Sequence, residues 1–341
     1  MKPTNAQRKL DHIRICSEED VQYKVLRNGF ERYRFVHRAL PEIDKREVDT
    51  GAVLLGRSLK APVVISAMTG GTDLSARINR HLAAAAQALG LAFGVGSQRA
   101  AIEDPSVSYS YQVRDVAPDV LLLANLGAVQ LNHGYGVKEC IAAVEMIGAD
   151  ALVLHLNALQ ECIQPEGNTD FSNLLPKLAA VCAQLSVPVI VKEVGCGISD
   201  EVARELVKIG VAAIDVAGAG GTSWVSVEKH RSGDERTRLI ADTFGEWGIP
   251  TAESLRMVKG VAPDVPVIAS GGIRNGLEIA KALALGADCA GIAEPTLRPA
   301  TLGVEAVVRR LSLLIEELGT AMFCVGARSV DDLRKARLEK V

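Results

Sequence analysis

The chain is 341 residues long, with 48% hydrophobic and 23% charged residues, a composition typical of soluble globular proteins and not of disordered or fibrous chains. Its 38 Lys and Arg against 41 Asp and Glu give a formal net charge of −3, so no excess of positive charge favours nucleic acid or an anionic membrane as a partner. The 31 glycines and an aromatic fraction of only 4% favour an α/β protein with many tight connections. The length allows two domains or one large one.

The cysteines and the apolar segments indicate a cytoplasmic protein. There are 7 cysteines, an odd number, and no two lie closer than 14 positions. This spacing argues against a CxxC redox site, a zinc ribbon or a full disulfide framework, and favours reduced thiols in the cytosol. The N-terminal MKPTNAQRKLDHI has no apolar core of the kind found in signal peptides. The longest apolar runs, such as Val120–Ala124, are far shorter than the roughly 20 residues needed to cross a bilayer.

From about residue 60, short apolar runs alternate with longer amphipathic segments. Continuous apolar runs are typical of strands buried on both faces, as in parallel sheets. The eight predicted strands are Val63–Ala67, Ala92–Gly96, Val120–Ala124, Ala151–Leu156, Pro188–Lys192, Ala212–Val216, Pro266–Ser270 and Cys289–Ile292. The predicted helices between them include Ala76–Leu89, Gly136–Ile147, Phe171–Gln184, Asp200–Ile209, Ala252–Val258 and Gly276–Leu285. Glycines that indicate left-handed helix caps are Gly90, Gly148, Gly210 and Gly286.

Eight β/α units predict an α/β fold of the (β/α)8 TIM-barrel type over residues 60–341, preceded by an N-terminal extension over residues 1–59. A doubly wound open sheet is the alternative, but no GxGxxG motif opens the first unit. The connection after the sixth strand, Ala217–Val265, is unusually long and contains the charged stretch EKHRSGDERTR. We expect a long loop here, either solvated or acting as a mobile lid over the active site.

In (β/α)8 enzymes the active site lies at the carboxyl ends of the strands. The clearest signal there is the segment Ala269–Gly276, which follows the seventh strand and opens a helix. Gly271 and Gly272 allow a close approach of the backbone, and the amides of a helix N-terminus point at an anion. The segment therefore predicts a phosphate site; a tight turn without a ligand is the alternative.

Lys192 ends the otherwise apolar fifth strand, PVIVK. A lysine at the mouth of the barrel is costly to bury unless it is paired. One interpretation is an ion pair with Glu193 or another carboxylate. The other is a cation that stabilises negative charge on a bound cofactor or intermediate, such as the charge that develops at N1 of a reduced flavin.

After the fourth strand, His155, Asn157, Gln160 and Glu161 lie within seven residues. One carboxylate among amides does not form a closed metal cage, but it suits Mg²⁺, which often binds one or two carboxylates, waters and substrate phosphates. For His155, a hydrogen-bonded histidine of the core is an equally good interpretation.

These segments together resemble the type 2 isopentenyl-diphosphate delta-isomerases, which are FMN-dependent barrel enzymes. The resemblance extends from about Arg8 to Leu338 and rests on the combination of motifs more than on any one. The motifs are RKLDHI, YRFVHRALPEID, ISAMTGGT, GVGSQR, ANLGAVQ, LHLNALQECIQPEGNTDF, VKEVGCGIS, DVAGAGGTSW, ASGGIRNG and AEPTL.

The resemblance implies roles for individual residues. Those implied to bind FMN are Ala67, Met68, Thr69, Ser97, Asn125, Lys192, Thr222, Gly271, Gly272, Ile273, Arg274, Ala293 and Glu294. Those implied to bind the diphosphate substrate are Arg8, Lys9, Ser97, Gln98, Arg99, Asn157 and Gln160, so the N-terminal extension contributes to the substrate site. Glu161 is implied as the Mg²⁺ ligand, and the catalytic residues are Gln160, Lys192 and His155.

The implied reaction interconverts isopentenyl and dimethylallyl diphosphates by moving protons, without net oxidation. The resemblance implies that reduced FMN assists the proton transfer and that NADPH serves only to reduce it. No strong acid/base pair of side chains is evident at the rim apart from Glu161. The resemblance also implies a homo-oligomer, a tetramer or octamer. Two alternatives remain: another FMN barrel, such as a 2-hydroxy acid oxidase or a dihydroorotate dehydrogenase, and a barrel that binds a phosphorylated metabolite without catalysis.

Overall fold

The N-terminal extension is one helix followed by short strands, in a computed structural model that describes residues 5–341. Helix α1 spans Asn5–Glu18 and packs against helices on the rim of the barrel. The short strands are β1 (Tyr33–Phe35), β2 (Ala52–Leu54) and β3 (Arg57–Leu59). β2 and β3 form a hairpin, and β1 pairs antiparallel with the C-terminal strand Leu338–Lys340. The part of the predicted extension before residue 5 lies outside the described residues.

Eight parallel strands close into a barrel, because the last of them pairs with the first. The strands are β4 (Val63–Ile65), β5 (Ala92–Gly94), β6 (Leu122–Gly127), β7 (Ala151–Leu156), β8 (Val189–Glu193), β9 (Ala213–Asp215), β10 (Val267–Ser270) and β11 (Cys289–Ile292). All eight match predicted runs, and closure confirms the barrel over the open sheet. The third strand is displaced from its prediction because it continues through the polar Asn125 at the mouth of the barrel.

Alternate residues of each strand face two separate apolar layers. Val64, Leu123 and Ile190 fill the barrel interior, whereas Val63 and Val191 pack under the surrounding helices. Because both faces of every strand are buried, the strands read as continuous apolar runs. The hairpin of β2 and β3 inserts buried leucines into the interior layer, which covers the barrel at the end opposite the cavity.

The helices surround the barrel. After α1 they are α2 (Asp73–Leu89), α3 (Arg99–Glu103), α4 (Val137–Ile147), α5 (Ala158–Ile163), α6 (Leu174–Gln184), α7 (Asp200–Lys208), α8 (Trp224–Arg231), α9 (Glu235–Thr243), α10 (Thr251–Val261), α11 (Gly276–Ala284), α12 (Glu294–Leu302), α13 (Val304–Val325) and α14 (Val330–Arg334). Gly90 and Gly148 adopt the predicted left-handed caps, with φ of 64° and 59°. Within residues 5–341, no helix combines the length and the apolarity required to cross a membrane.

The connection after β9 has two helices, α8 and α9, ahead of the predicted helix at Ala252–Val258, which corrects the expectation of a long loop there. It contains α8, α9 and α10. Inside the charged stretch, Glu228 is fully buried and the Arg231 side chain is only 4% exposed. These two side chains are not solvated because they pair with each other and because Glu228 also contacts His12 and Gln160 of the cavity. This part of the stretch therefore supports the site.

Candidate functional site

A cavity opens at the carboxyl ends of the barrel strands, between them and helix α1. It brings together all but one of the residues that the resemblance implies. The implied residues that line it are Arg8, Lys9, Ala67, Met68, Thr69, Ser97, Arg99, Asn125, His155, Asn157, Gln160, Glu161, Lys192, Thr222, Gly271, Gly272, Ile273, Arg274, Ala293 and Glu294. The barrel topology gathers them because parallel strands end at the same rim.

Gln98 is the exception, and the expectation that it binds substrate is corrected. Its side chain is fully buried, donates a hydrogen bond to the carbonyl of Ala143 at 2.8 Å and accepts one from the amide of Asn125 at 2.9 Å. These bonds occupy both ends of the amide group. Gln98 therefore supports the neighbouring strand and does not line the cavity.

The loop after β10 is built to approach an anion closely. Gly271 and Gly272 have φ of 107° and 73°, and a Cβ on Gly272 would lie 2.5 Å from the carbonyl oxygen of Gly220. Asn28 of the extension donates to the carbonyl of Gly272 at 2.7 Å. The loop leads into α11, where the amide of Gly276 donates to Glu317 at 2.6 Å and that of Glu278 to Asn275 at 2.9 Å, so the close approach is offered by the glycine loop itself. The chain thus offers a preformed phosphate cradle, which fits the phosphate of FMN.

Arg274 at the end of this loop is already engaged by protein groups. It donates a hydrogen bond to Gln22 and lies 3.4 Å from the carboxylate of Glu294. Since Gln22 belongs to the N-terminal extension, the extension fixes the side chains as well as the backbone of the cradle. The predicted cofactor residues Arg274 and Glu294 therefore form one ion pair at the rim.

Lys192 has a carboxylate partner, but it is not Glu193. The Lys192 ammonium lies 3.8 Å from Asp215 and donates to the backbone carbonyl of Glu193 at 2.6 Å. The carboxylate of Glu193 turns away and accepts the amides of Val194 and Gly195 at 2.6 and 2.7 Å. Burial raises the pKa of Glu193 to about 7, although these amides oppose the shift. Lys192 lines the cavity, so it presents to it a positive charge that Asp215 partly offsets.

His155 is a neutral imidazole at ordinary pH. Burial lowers its pKa to about 3, and the charges of Lys192, Lys9 and Arg8 act in the same direction. Its Nδ1 lies 2.9 Å from the side-chain oxygen of Asn125, a pairing that assigns the proton to Nδ1. His155 can therefore orient and hydrogen-bond a ligand, but it cannot serve as a cationic acid.

Three cations converge at another part of the cavity. Arg8 and Lys9 come from α1, and Arg99 begins α3. The buried Nε of Arg8 has no hydrogen-bond partner within residues 5–341. Burial and the adjacent Arg8 lower the pKa of Lys9 to about 7. Only Arg99 has a close carboxylate, Glu103 at 2.7 Å. Such crowding of like charges indicates a site for a polyanion.

Glu161 lines the same cavity as these three cations. It is 7% exposed and accepts hydrogen bonds from Asn157 Nδ2 at 2.7 Å and from the amide of Asn168 at 2.5 Å. No group of three or more His, Cys, Asp or Glu in the described part of the chain is placed to hold a metal. The buried Asn157 Oδ1 and Gln164 Nε2 lack partners within that part. The carboxylate of Glu161 and the Asn157 Oδ1 are hard oxygen ligands, and they fit a Mg²⁺ ion that takes most of its ligands from water and substrate.

Sequence reasoning missed an acid/base pair beside Gln160. Glu228 of α8 lies 3.0 Å from His12 and accepts a hydrogen bond from Gln160, also at 3.0 Å. Burial alone would raise the pKa of Glu228, but His12 and Arg231 outweigh it and lower that pKa to about 2. The only sequence signal was that His12 follows Arg8 by one helical turn. The expectation that no acid/base pair of side chains lies at this rim apart from Glu161 is therefore corrected.

Comparison with known proteins bears on the choice among barrel enzymes. A family model described as FMN-dependent dehydrogenase matches residues 3–159 and 163–340. An isopentenyl-diphosphate delta-isomerase of Nostoc sp. is 53% identical over 96% of this chain and 93% of its own length. That of Stutzerimonas stutzeri is 51% identical over 99% and 98%. Among solved structures, a mandelate oxidase variant with a monooxide FMN adduct aligns with a TM-score of 0.66 at 21% identity, over 92% of this chain and 90% of that chain.

The fold by itself does not separate these enzymes, because mandelate oxidase shares it at low identity. The relatives named isomerase match more than half of all positions over nearly the whole chain. The two alternatives, a hydroxy acid oxidase or dihydroorotate dehydrogenase and a non-catalytic barrel, therefore fall away. The chain belongs to the FMN-dependent isopentenyl-diphosphate delta-isomerase family.

Proposed function

We propose that the protein interconverts isopentenyl and dimethylallyl diphosphates with reduced FMN and Mg²⁺. The observation that carries this proposal is that two groups of residues suited to anions line one cavity. The glycine loop Gly271–Arg274 suits a cofactor phosphate, and the cluster of Arg8, Lys9 and Arg99 suits a second, more highly charged anion. An oxidase acting on a monocarboxylate has no use for three convergent cations.

We propose that Gln160 and His155 lie near the reacting carbons of the substrate and orient them. Gln160 is fixed by its hydrogen bond to Glu228 at 3.0 Å, and its carbonyl accepts from Asn157 at 3.2 Å. His155 is neutral and held by Asn125. FMN in its reduced form supplies an electron-rich ring that can exchange a proton with an alkene. Lys192 places a positive charge where the chain can stabilise that electron-rich form.

The side chains that a 2-hydroxy acid oxidase would need are not arranged for that reaction in this cavity. A 2-hydroxy acid oxidase needs an arginine to bind the substrate carboxylate and a histidine base beside it. Arg274 is paired with Glu294 and bonded to Gln22, and no histidine adjoins it in the sequence. The group that would bind a carboxylate is thus neutralised by the protein itself.

Glu161 is the residue that we propose holds Mg²⁺ against the substrate diphosphate. The carboxylate supplies one hard oxygen ligand beside the cationic cluster, and the diphosphate and waters supply the others. We further propose that NADPH reduces the flavin before turnover. We propose that the protein works in the cytoplasm as a homo-oligomer, a tetramer or octamer.

Turnover without consumption of reductant tests the proposed reaction. Under anaerobic conditions, with FMN, Mg²⁺ and a stoichiometric amount of dithionite, we expect many molecules of dimethylallyl diphosphate per electron pair, because the electrons are not transferred to product. In deuterated water, label should enter the methyl group derived from C4. Product would be followed by NMR and mass spectrometry.

Two comparisons make this result decisive. The oxidised protein without reductant should be inactive, and NADPH should be replaceable by dithionite. Oxidation of one NADPH per molecule of product, measured without oxygen, would show an oxidoreductase and overturn the proposal.

The cofactor itself gives a second prediction. Lys192→Met should weaken FMN binding about tenfold, since a charge-assisted contact contributes about 1.5–3 kcal/mol and part of it is recovered by water. The matched control is Lys259→Met, because Lys259 pairs with Asp288 at 3.0 Å outside the cavity. Flavin fluorescence titration of the apoprotein measures both. Release of FAD by heating, or equal FMN affinity of the two variants, would contradict the assignment.

A further inference from the structure

Lys192 shares a buried ion pair with a residue that has no part in the site described so far. Lys192 and Asp215 are direct partners in the ladder between β8 and β9. The Asp215 side chain is 5% exposed and that of Lys192 is 12% exposed. The two charges lie 3.8 Å apart. In such a dry position each charge strongly affects the other.

Asp215 is held in a fixed orientation. Its Oδ1 accepts a hydrogen bond from the Ser270 hydroxyl at 2.6 Å and one from the amide of Ala217 at 3.3 Å. Its other oxygen, Oδ2, faces the Lys192 ammonium. Burial raises the pKa of Asp215, whereas Lys192, Ser270 and the amide of Ala217 act against that shift. The three neighbours thus favour the anion that burial disfavours.

The carboxylate does not line the cavity, but its partner does. Asp215 can therefore act on a ligand of the cavity only through its partners that line it, which are Lys192 and Ser270. A buried carboxylate kept at such a cost indicates an electrostatic purpose.

We propose that Asp215 is a positioning residue that acts through Lys192 and lowers the reduction potential of the bound flavin by partly offsetting the lysine charge. This inference rests on the proposed binding of FMN. A lower potential keeps the reduced flavin electron-rich, which is the property that protonation of an alkene requires. Ser270 supports this role by fixing the carboxylate.

The flavin midpoint potential, measured at pH 8 by anaerobic titration with reference dyes, tests the proposal. Asp215→Asn keeps the shape of the side chain and removes its charge. We expect the equilibrium constant for flavin reduction to rise about tenfold, which corresponds to about 30 mV more positive for a two-electron couple. Ser270→Ala should shift the potential in the same direction but less, because loss of the donor favours protonation of Asp215. Asp288→Asn, in the lysine pair outside the cavity, should leave the potential unchanged.

A double variant separates action through Lys192 from a direct effect. Without the ammonium, Asp215 is a buried carboxylate that takes up a proton. The potentials of Lys192→Met and of Lys192→Met with Asp215→Asn should therefore be equal. An unchanged potential in Asp215→Asn would overturn the proposal, as would additive shifts in the double variant.

If Asp215→Asn does not fold, an unchanged potential in Ser270→Ala overturns it instead. Failure of the wild-type protein to bind FMN would overturn the proposed function as well, whereas bound FMN with an unshifted potential contradicts only the role of Asp215.

Discussion

Replacement of Glu161 by Gln should lower kcat/KM about 100- to 1000-fold while the flavin spectrum stays unchanged. Metal stabilisation of substrate charge contributes several kcal/mol, and each 1.36 kcal/mol corresponds to a tenfold change in rate. Glutamine keeps the size of the side chain and one acceptor oxygen, so the hydrogen bond from Asn168 can persist. The loss should therefore reflect the missing charge at the metal and not a collapsed loop.

The dependence on Mg²⁺ distinguishes this explanation from local damage. Activity of the wild-type protein should vanish with chelator and return with Mg²⁺, whereas the residual activity of Glu161→Gln should respond weakly to the metal. Glu145→Gln is the matched control, because Glu145 is exposed on α4 and does not line the cavity. Full activity of Glu161→Gln in the presence of chelator would show that Glu161 is not the ligand.

Replacement of Lys9 by Ala should raise KM for the diphosphate substrate about 10- to 100-fold, since a hydrogen bond to a charged group contributes about 1.5–3 kcal/mol. FMN affinity should not change. Arg14→Ala is the control, because Arg14 lies on the same helix but is exposed. Equal KM values for Lys9→Ala and Arg14→Ala would remove Lys9 from the substrate site.

The effect of Lys9→Ala on kcat/KM should also depend on pH, in a direction that the pKa of Lys9 determines. Burial and Arg8 lower the pKa of Lys9 to about 7 in the free protein, so the ammonium is lost as pH rises through 7. An anionic substrate binds the protonated form more tightly. The ratio of kcat/KM between wild type and Lys9→Ala should therefore fall above about pH 7, whereas the kcat ratio should not, because bound diphosphate keeps Lys9 protonated. Lys9→Arg, which stays charged, should abolish the fall.

The barrel could be predicted from the sequence because its strands are buried on both faces. Runs such as Ala151–Leu156, which is apolar apart from His155, and Cys289–Ile292 appear as strands with the predicted bounds. The end of the third strand could not be placed, since Asn125 continues it by hydrogen bonding to residues distant in sequence. The pattern of apolar residues along the chain predicts which positions are buried. It does not identify a polar residue that is buried and hydrogen-bonded in the interior.

The helices α8 and α9 in the connection after β9 also could not be predicted from the sequence. A dense run of charges normally indicates solvated chain, yet α8 buries Glu228 against Arg231 and His12. Those partners lie on α1 and α8, which meet only when the barrel has closed. The pair of Glu228 with Arg231 is local, at i and i+3, but the contact of Glu228 with His12, which also offsets the cost of desolvation, has no local pattern.

The sequence by itself determined the closed barrel, the glycine-rich loop at Gly271 and Gly272, and the set of polar residues at one rim. These follow from local properties: apolar runs, glycines and position relative to strand ends. Only the tertiary structure decided which polar groups pair. In the structure the Gln98 side chain points into the core. Lys192 pairs with Asp215 and not with its neighbour in sequence, Glu193. The physical reason is that successive residues of a strand point to opposite faces, so Lys192 meets the residue beside it on β9 and not the next one in the chain.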